Sequence, residues 1–200
     1  MSAEAPQAVS PDYSRGRNIV LFGMSGVGKT TVGEETARRL GMTHIDLDAV
    51  LQKRMGMDIG QIVEKDGWPH MRALESHLIK SLNLQGHVIS TGGGVVLNPE
   101  NTANLLVNGA GGVGILLEAP VEVLHKRTQA KKDPNRPLGD TDEEALKILT
   151  ERAEDRKELY PGPADFGISN ATDDSTEVVD AIVCAVTKGK ILEEKEIVTL

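Results

Sequence analysis

Asn18-Ile19-Val20-Leu21-Phe22-Gly23-Met24-Ser25-Gly26-Val27-Gly28-Lys29-Thr30 decides the architecture. A short apolar run can be a buried strand or part of a buried helix. The glycine-rich stretch after Phe22 favours a strand, and Lys29–Leu40 then reads as a helix with Val32, Thr36, Ala37 and Leu40 on one face. The residues from Gly23 to Thr30 fit G-x-x-x-x-G-K-[ST] at every fixed position. Glycines let the backbone curl so that successive N–H groups face a phosphate. The helix N-terminus and Lys29 add positive charge, and the Thr30 hydroxyl is a ligand suited to Mg²⁺. The segment therefore predicts a triphosphate cradle formed by Gly23, Ser25, Gly26, Val27, Gly28, Lys29, Thr30 and Thr31.

The same rhythm continues outward. Short apolar runs at Thr43–Leu47, His87–Thr91, Gly112–Glu118 and Phe166–Ser169 read as strands. Between them, Ala49–Arg54, Trp68–Leu82, Val121–Ala130, Asp142–Tyr160 and Thr176–Thr187 read as helices, the second with Met71, Leu74, Leu78 and Leu82 at helical spacing. Strands alternating with helices predict an α/β fold in three layers, a central parallel sheet covered on both faces. Residues 1–17 are polar and aperiodic and read as a flexible extension; 18–188 form the domain, and 189–200 a charged tail. Lys131–Thr141 breaks the rhythm: it is polar and carries two prolines. A loop of that length is either a lid or a plain surface connection.

Composition narrows the function. The 200 residues are 39% hydrophobic and 26% charged, a globular balance sufficient for one core. A net charge of −8 argues against a nucleic-acid binder, and one Trp, two Tyr and two Phe leave little for base stacking. The longest apolar runs fall far short of the ~18 residues a membrane span needs. Without a secretory signal or a second cysteine beside Cys184, a cytoplasmic chain is expected. Five histidines at 44, 70, 77, 87 and 125 lack zinc-ligand spacing, and the Asn170-Ala171-Thr172 glycosylation pattern has no meaning in that compartment.

After the cradle, His44-Ile45-Asp46-Leu47-Asp48 is the most informative stretch. Two carboxylates two positions apart at a strand end share one face, beside the crevice where open α/β sheets bind ligands. One can hold Mg²⁺ through water while the other accepts a hydrogen bond from a substrate hydroxyl. No Asn-Lys-x-Asp guanine signature is present.

The cradle, Asp46-x-Asp48, Met71-Arg72-Ala73-Leu74-Glu75, Gly92-Gly93-Gly94, Arg136-Pro137-Leu138 and Arg156-x-x-Leu159-Tyr160 occur in the order and at intervals similar to those of shikimate kinases. The resemblance covers about residues 18–185. It implies a P-loop kinase fold with an acceptor-binding helical region and a lid. It also implies transfer of the ATP γ-phosphate to the 3-hydroxyl of shikimate with Mg²⁺, by a chain expected to be a monomer. Arg72 and Arg156 match the family's carboxylate-binding arginines, and Asp48 matches the residue contacting the ring hydroxyls. Arg127 matches an arginine beside the adenine, and Arg136 the lid arginine. Gly93 and Gly94 line the acceptor, Asp46 and Thr30 serve the metal, and Lys29, Asp48 and Arg136 carry catalysis. A guanidinium fork suits a carboxylate, and Glu75, three residues after Arg72, can orient it. The chain departs from the pattern at Met71 (usually Phe), at Gly139 (usually Leu) and at Trp68-Pro69, where an acidic residue commonly follows the glycine. Kinases of gluconate or quinate, and a catalytically silent nucleotide-binding relative, are the competing expectations.

Overall fold

The structure, a computed structural model, describes residues 16–107, 111–131, 138–139 and 141–188. Five parallel strands form its sheet: β1 (Asn18–Phe22), β2 (Thr43–Asp46), β3 (His87–Ser90), β4 (Gly112–Glu118) and β5 (Phe166–Ser169), in the spatial order β2-β3-β1-β4-β5. The centre of the sheet is β1, with Ile19 beside Val88 on β3 and Val113 on β4. A strand walled on both faces must be apolar throughout, and every residue of β1 is buried. Around the sheet lie α1 (Lys29–Leu40), α2 (Leu47–Met55), α3 (Ile59–Lys80), α4 (Pro99–Val107), α5 (Val121–Lys131), α6 (Asp142–Arg156) and α7 (Thr176–Lys188). The α/β expectation, a three-layer P-loop kinase fold, is the fold observed. Among the described residues no helix is long and apolar enough to cross a membrane.

The largest differences from the sequence-based expectation are two helix bounds and one additional helix, each with a local reason; α2 also starts two residues earlier than expected, at Leu47, and other ends shift by one or two residues. Helix α3 begins nine residues before Trp68, at Ile59, because Asp58 and Gln61 cap each other reciprocally: Gln61 N–H donates to Asp58 Oδ1 (2.8 Å) and Asp58 N–H to Gln61 Oε1 (3.1 Å). Its axis breaks at Gly67, where φ 79° and ψ 167° are open essentially to glycine alone. Helix α4 was not expected. It opens with Pro99 behind Asn98, whose Oδ1 accepts the Glu100 N–H (3.0 Å). Helix α6 stops at Arg156, and a turn in which Arg156 O accepts from Leu159 (2.9 Å) and Tyr160 (3.2 Å) swings Tyr160 inward.

The sheet order brings the C-terminal ends of β1, β2 and β3 together. The glycine loop after Phe22, Asp46 at the end of β2, and Gly92–Gly94 beyond β3 therefore share one edge.

Candidate active site

The loop between β1 and α1 curls as its glycines require, with positive φ at Gly23, Gly26 and Gly28. Lys29 is buried, and its ammonium donates to the carbonyls of Gly23 (2.7 Å) and Met24 (2.9 Å). Val27 N–H donates to Met24 O (3.3 Å). Two buried polar side chains brace the loop from outside. Ser90 Oγ donates to Lys29 O (2.9 Å), with His44 Nε2 at 2.9 Å from the same hydroxyl. Burial pushes the His44 imidazole below its ordinary range, against the opposing pull of Asp46 and Glu34. Just beyond β5, Asn170 Nδ2 donates to Val27 O (2.7 Å). Arg127 on α5 donates to the carbonyls of Asn170 (2.7 Å) and Thr172, so that its guanidinium is fixed beside the loop.

Asp46 works in two directions. Its Oδ1 accepts the N–H groups of Asp48 (3.0 Å) and Ala49 (3.2 Å) and so caps α2. Its Oδ2 accepts the Thr30 hydroxyl at 2.6 Å. A hydroxyl and a carboxylate oxygen in contact are hard donors of the kind Mg²⁺ takes, with phosphates and waters completing its shell. Among the described residues there is no group of three His, Cys, Asp or Glu that could hold a metal ion. Around these groups lies a cleft of about 140 Å³, lined by Gly26, Gly28, Lys29, Thr30, Thr31, Asp46, Asp48, Thr91, Arg127, Thr128 and Leu138.

A larger cavity of about 470 Å³ adjoins it, lined by Ser25, Asp48, Ile59, Trp68, Pro69, Met71, Arg72, Gly92, Gly93, Gly94, Leu97, Leu138, Arg152 and Arg156. Asp48 and Leu138 belong to both walls. Three guanidiniums against Asp48 in the wall and Glu75 on Arg72 make this cavity locally cationic in a chain of net charge −8. Arg72 Nη1 donates to Glu75 Oε2 at 2.8 Å, and Glu75 is 3% exposed with no hydrogen-bond partner at Oε1. Burial pushes the Glu75 carboxyl up, and Arg72 pulls it only partly back. Arg156 Nη1 (3.0 Å) and Tyr160 Oη (2.6 Å) both donate to Gly93 O, and burial lifts the tyrosine pKa to about 12, so it stays a donor. The glycines leave no spare room: a Cβ on Gly92 would lie 2.6 Å from Glu75 Oε1 and 2.9 Å from Asp48 Oδ1, and one on Gly93 2.9 Å from Ser25 N. A Cβ on Gly94 would run into the Arg72 guanidinium.

The two cavities thus gather the expected site residues except three: Gly23 and Val27, which belong to the loop but line neither cavity, and Arg136, which lies outside the described residues together with most of the expected lid; Ser25, expected at the triphosphate, lines the larger cavity. Sequence reasoning passed over Arg152, Ile59, Leu97 and the loop brace Asn170. Arg152 stands four residues before Arg156 on α6, so the two share a helical face, which was the available signal. Asn170 drew notice only as an idle glycosylation pattern, yet it is 3% exposed and bonded to the phosphate loop.

Comparison with known proteins agrees with this geometry. The sequence model of the shikimate kinase family matches residues 25–187. A shikimate kinase of Caldanaerobacter subterraneus is 41% identical over 175 residues, 87% of this chain and 98% of the relative. One from Haemophilus influenzae is 39% identical over 168 residues, 84% of this chain and 91% of the relative. Among solved structures, a shikimate kinase of Acinetobacter baumannii in complex with shikimate superposes with a TM-score of 0.80 at 29% identity, covering 90% of this chain and 97% of that one. The enzyme of Aquifex aeolicus gives a TM-score of 0.65 at 32% identity, covering 84% and 95%.

Proposed function

The chain belongs to the shikimate kinase family of ATP-dependent phosphotransferases, and from that premise we propose how its residues carry the γ-phosphate of ATP to the 3-hydroxyl of shikimate, giving shikimate 3-phosphate and ADP. The observation that carries the proposal is the shared wall: Asp48 lines both the phosphate-loop cleft and the cationic cavity. A hydroxyl bonded to Asp48 therefore faces the phosphate site.

The loop Gly23–Thr31 holds the triphosphate through backbone N–H groups, Lys29 and Thr30, and Arg127 lies at the adenine end. Arg72 and Arg156 take the acceptor carboxylate from two helices, and the backbone of Gly93 and Gly94 forms the floor beneath the ring. Glu75 aims the Arg72 fork. Asp48 holds the acceptor hydroxyl and receives its proton as the new P–O bond forms. Transfer needs positioning and charge stabilisation more than covalent help. Lys29 and Arg136 stabilise the charge that spreads over the moving phosphoryl group, and Arg136, on the Lys131–Thr141 lid, also helps exclude water. Thr30 and, through water, Asp46 would hold Mg²⁺, which when bound neutralises phosphate charge. The catalytic unit is residues 18–188 between an extension (1–17) and a tail (189–200). It works as a cytoplasmic monomer.

A coupled ADP-release assay across shikimate, quinate and gluconate tests the proposal. Turnover should depend on shikimate and Mg²⁺. A preference for gluconate, or ADP release indifferent to the acceptor, would overturn it.

A further inference from the structure

Beyond Arg72 and Arg156, a third guanidinium, that of Arg152, lines the cationic cavity, and an indole in the same wall holds it. The Arg72 guanidinium carbon lies 5.1 Å from the centroid of the Trp68 ring, and the Arg152 guanidinium carbon lies 5.3 Å from the same centroid. Both distances are within cation–π range, and the indole is the strongest aromatic partner for a guanidinium. The three residues come from two elements, α3 and α6, and all three line the cavity. The break at Gly67 immediately precedes Trp68, so its indole sits where the axis of α3 changes direction. A Cβ on Gly67 would meet only Pro69 Cδ at 3.5 Å; the glycine is there for its backbone angles, not for space. This is the only tryptophan in the chain.

We infer that Trp68 and Arg152 form a further specificity element of the acceptor cavity, the indole holding Arg72 and Arg152 on one ring and Arg152 adding a third cation that selects anionic acceptors. The inference rests on the proposal that this cavity is the acceptor site. Guanidiniums lining one cavity repel one another. The negative face of the indole offsets part of that repulsion, and an acceptor carboxylate offsets more, whereas a neutral acceptor of the same shape does not. Trp68 is accordingly a positioning residue. It acts through Arg72 and Arg152, and the discrimination it supports is acid over ester.

The test uses the full chain with ATP, Mg²⁺ and two acceptors, shikimate and its methyl ester, in Trp68→Phe, Trp68→Leu, Arg152→Ala and the Trp68→Leu/Arg152→Ala double variant. Loss of a partly desolvated cation–π contact corresponds to about three- to thirtyfold. Trp68→Leu and Arg152→Ala should each raise the shikimate KM about tenfold and shrink the acid-over-ester preference about fivefold. Turnover at saturating shikimate and the KM for ATP should change less than about twofold. Trp68→Phe, which keeps a ring face, should retain most of the preference. The double variant should be no worse than Trp68→Leu, because Arg152 without its ring no longer contributes. Arg72→Ala and Arg156→Ala are the controls. If they raise the shikimate KM while Arg152→Ala and Trp68→Leu leave KM and preference unchanged, this inference fails and the acceptor site stands. If the controls also leave KM unchanged, the acceptor-site proposal fails and the inference falls with it. Equal losses in turnover, ATP KM and shikimate KM would show a merely structural role and overturn it as well. Should Trp68→Leu not fold, Arg152→Ala and Trp68→Phe decide the question on the same criteria.

Discussion

Asp46→Asn separates two functions that one carboxylate performs. On the helix side, Oδ1 accepts two N–H groups at 3.0 and 3.2 Å. Asparagine caps a helix about as well as aspartate, so stability should change by less than about 0.5 kcal/mol, whereas Asp46→Ala should lose about 1 kcal/mol. On the phosphate side, Oδ2 accepts the Thr30 hydroxyl at 2.6 Å, and here the amide cannot replace the charge. With the water-like screening of a water-bridged contact, a unit negative charge about 4–8 Å from a dication contributes about 1–2 kcal/mol, which corresponds to a five- to thirtyfold higher Mg²⁺ concentration at half-maximal turnover. The assay is coupled ADP release at fixed ATP and shikimate with Mg²⁺ varied, paired with urea denaturation of each variant. Asp48→Asn supplies the contrast: it should cut turnover with shikimate and leave the Mg²⁺ curve in place. The reasoning is refuted if Asp46→Asn superimposes on the wild-type Mg²⁺ curve, or if the Asp46→Asn and Asp48→Asn curves are indistinguishable.

Three further outcomes follow from the same geometry. Burial raises the Glu75 carboxyl above its ordinary range, so its stabilising contribution is intact below that range and is lost as pH rises towards the raised value. Urea denaturation at a series of pH values should therefore show wild type losing ground to Glu75→Gln as pH rises, while the variant's shikimate KM increases about fivefold because Arg72 has a neutral partner; a pH-independent stability difference would count against it. Gly92→Ala places a methyl group against both Glu75 and Asp48. It should cost about 1–3 kcal/mol of stability or shikimate binding, measurable by denaturation and by kcat/KM. Arg136→Ala should lower turnover by orders of magnitude and leave shikimate affinity within about threefold, and Arg136→Lys should recover little because a point charge is not a fork; single-turnover kinetics with calorimetry checks both.

The parts of the molecule readable from sequence were those whose signal is local. The strand, glycine loop and helix from Asn18 to Leu40 lie in one contiguous stretch, and the observed element bounds match the expected ones. The Asp46-x-Asp48 spacing was equally local, although it could not show that one Asp46 oxygen caps α2 while the other meets Thr30. Less local facts escaped. The Ile59–Asp66 arm of α3 has few apolar positions, and its start is marked only by the Asp58/Gln61 cap pair. Arg152 lies on a helix crowded with charges, where a residue facing a cavity and one facing water have the same sequence signature. Glu75 reads as an ordinary surface partner of Arg72, three residues away. Tertiary packing, with Gly92 close to Oε1, makes it a buried carboxylate with a raised pKa.

The central claim is that Arg72 and Arg156 hold the acceptor carboxylate in the cavity that adjoins the phosphate-loop cleft. Calorimetric titration of shikimate into wild type, Arg72→Ala and Arg156→Ala, each also titrated with an ATP analogue, tests it most directly. Each lost charge-assisted contact should cost about 1.5–3 kcal/mol, a ten- to hundredfold weaker shikimate affinity, with nucleotide affinity unchanged. Unaltered shikimate affinity in both folded variants would contradict the account.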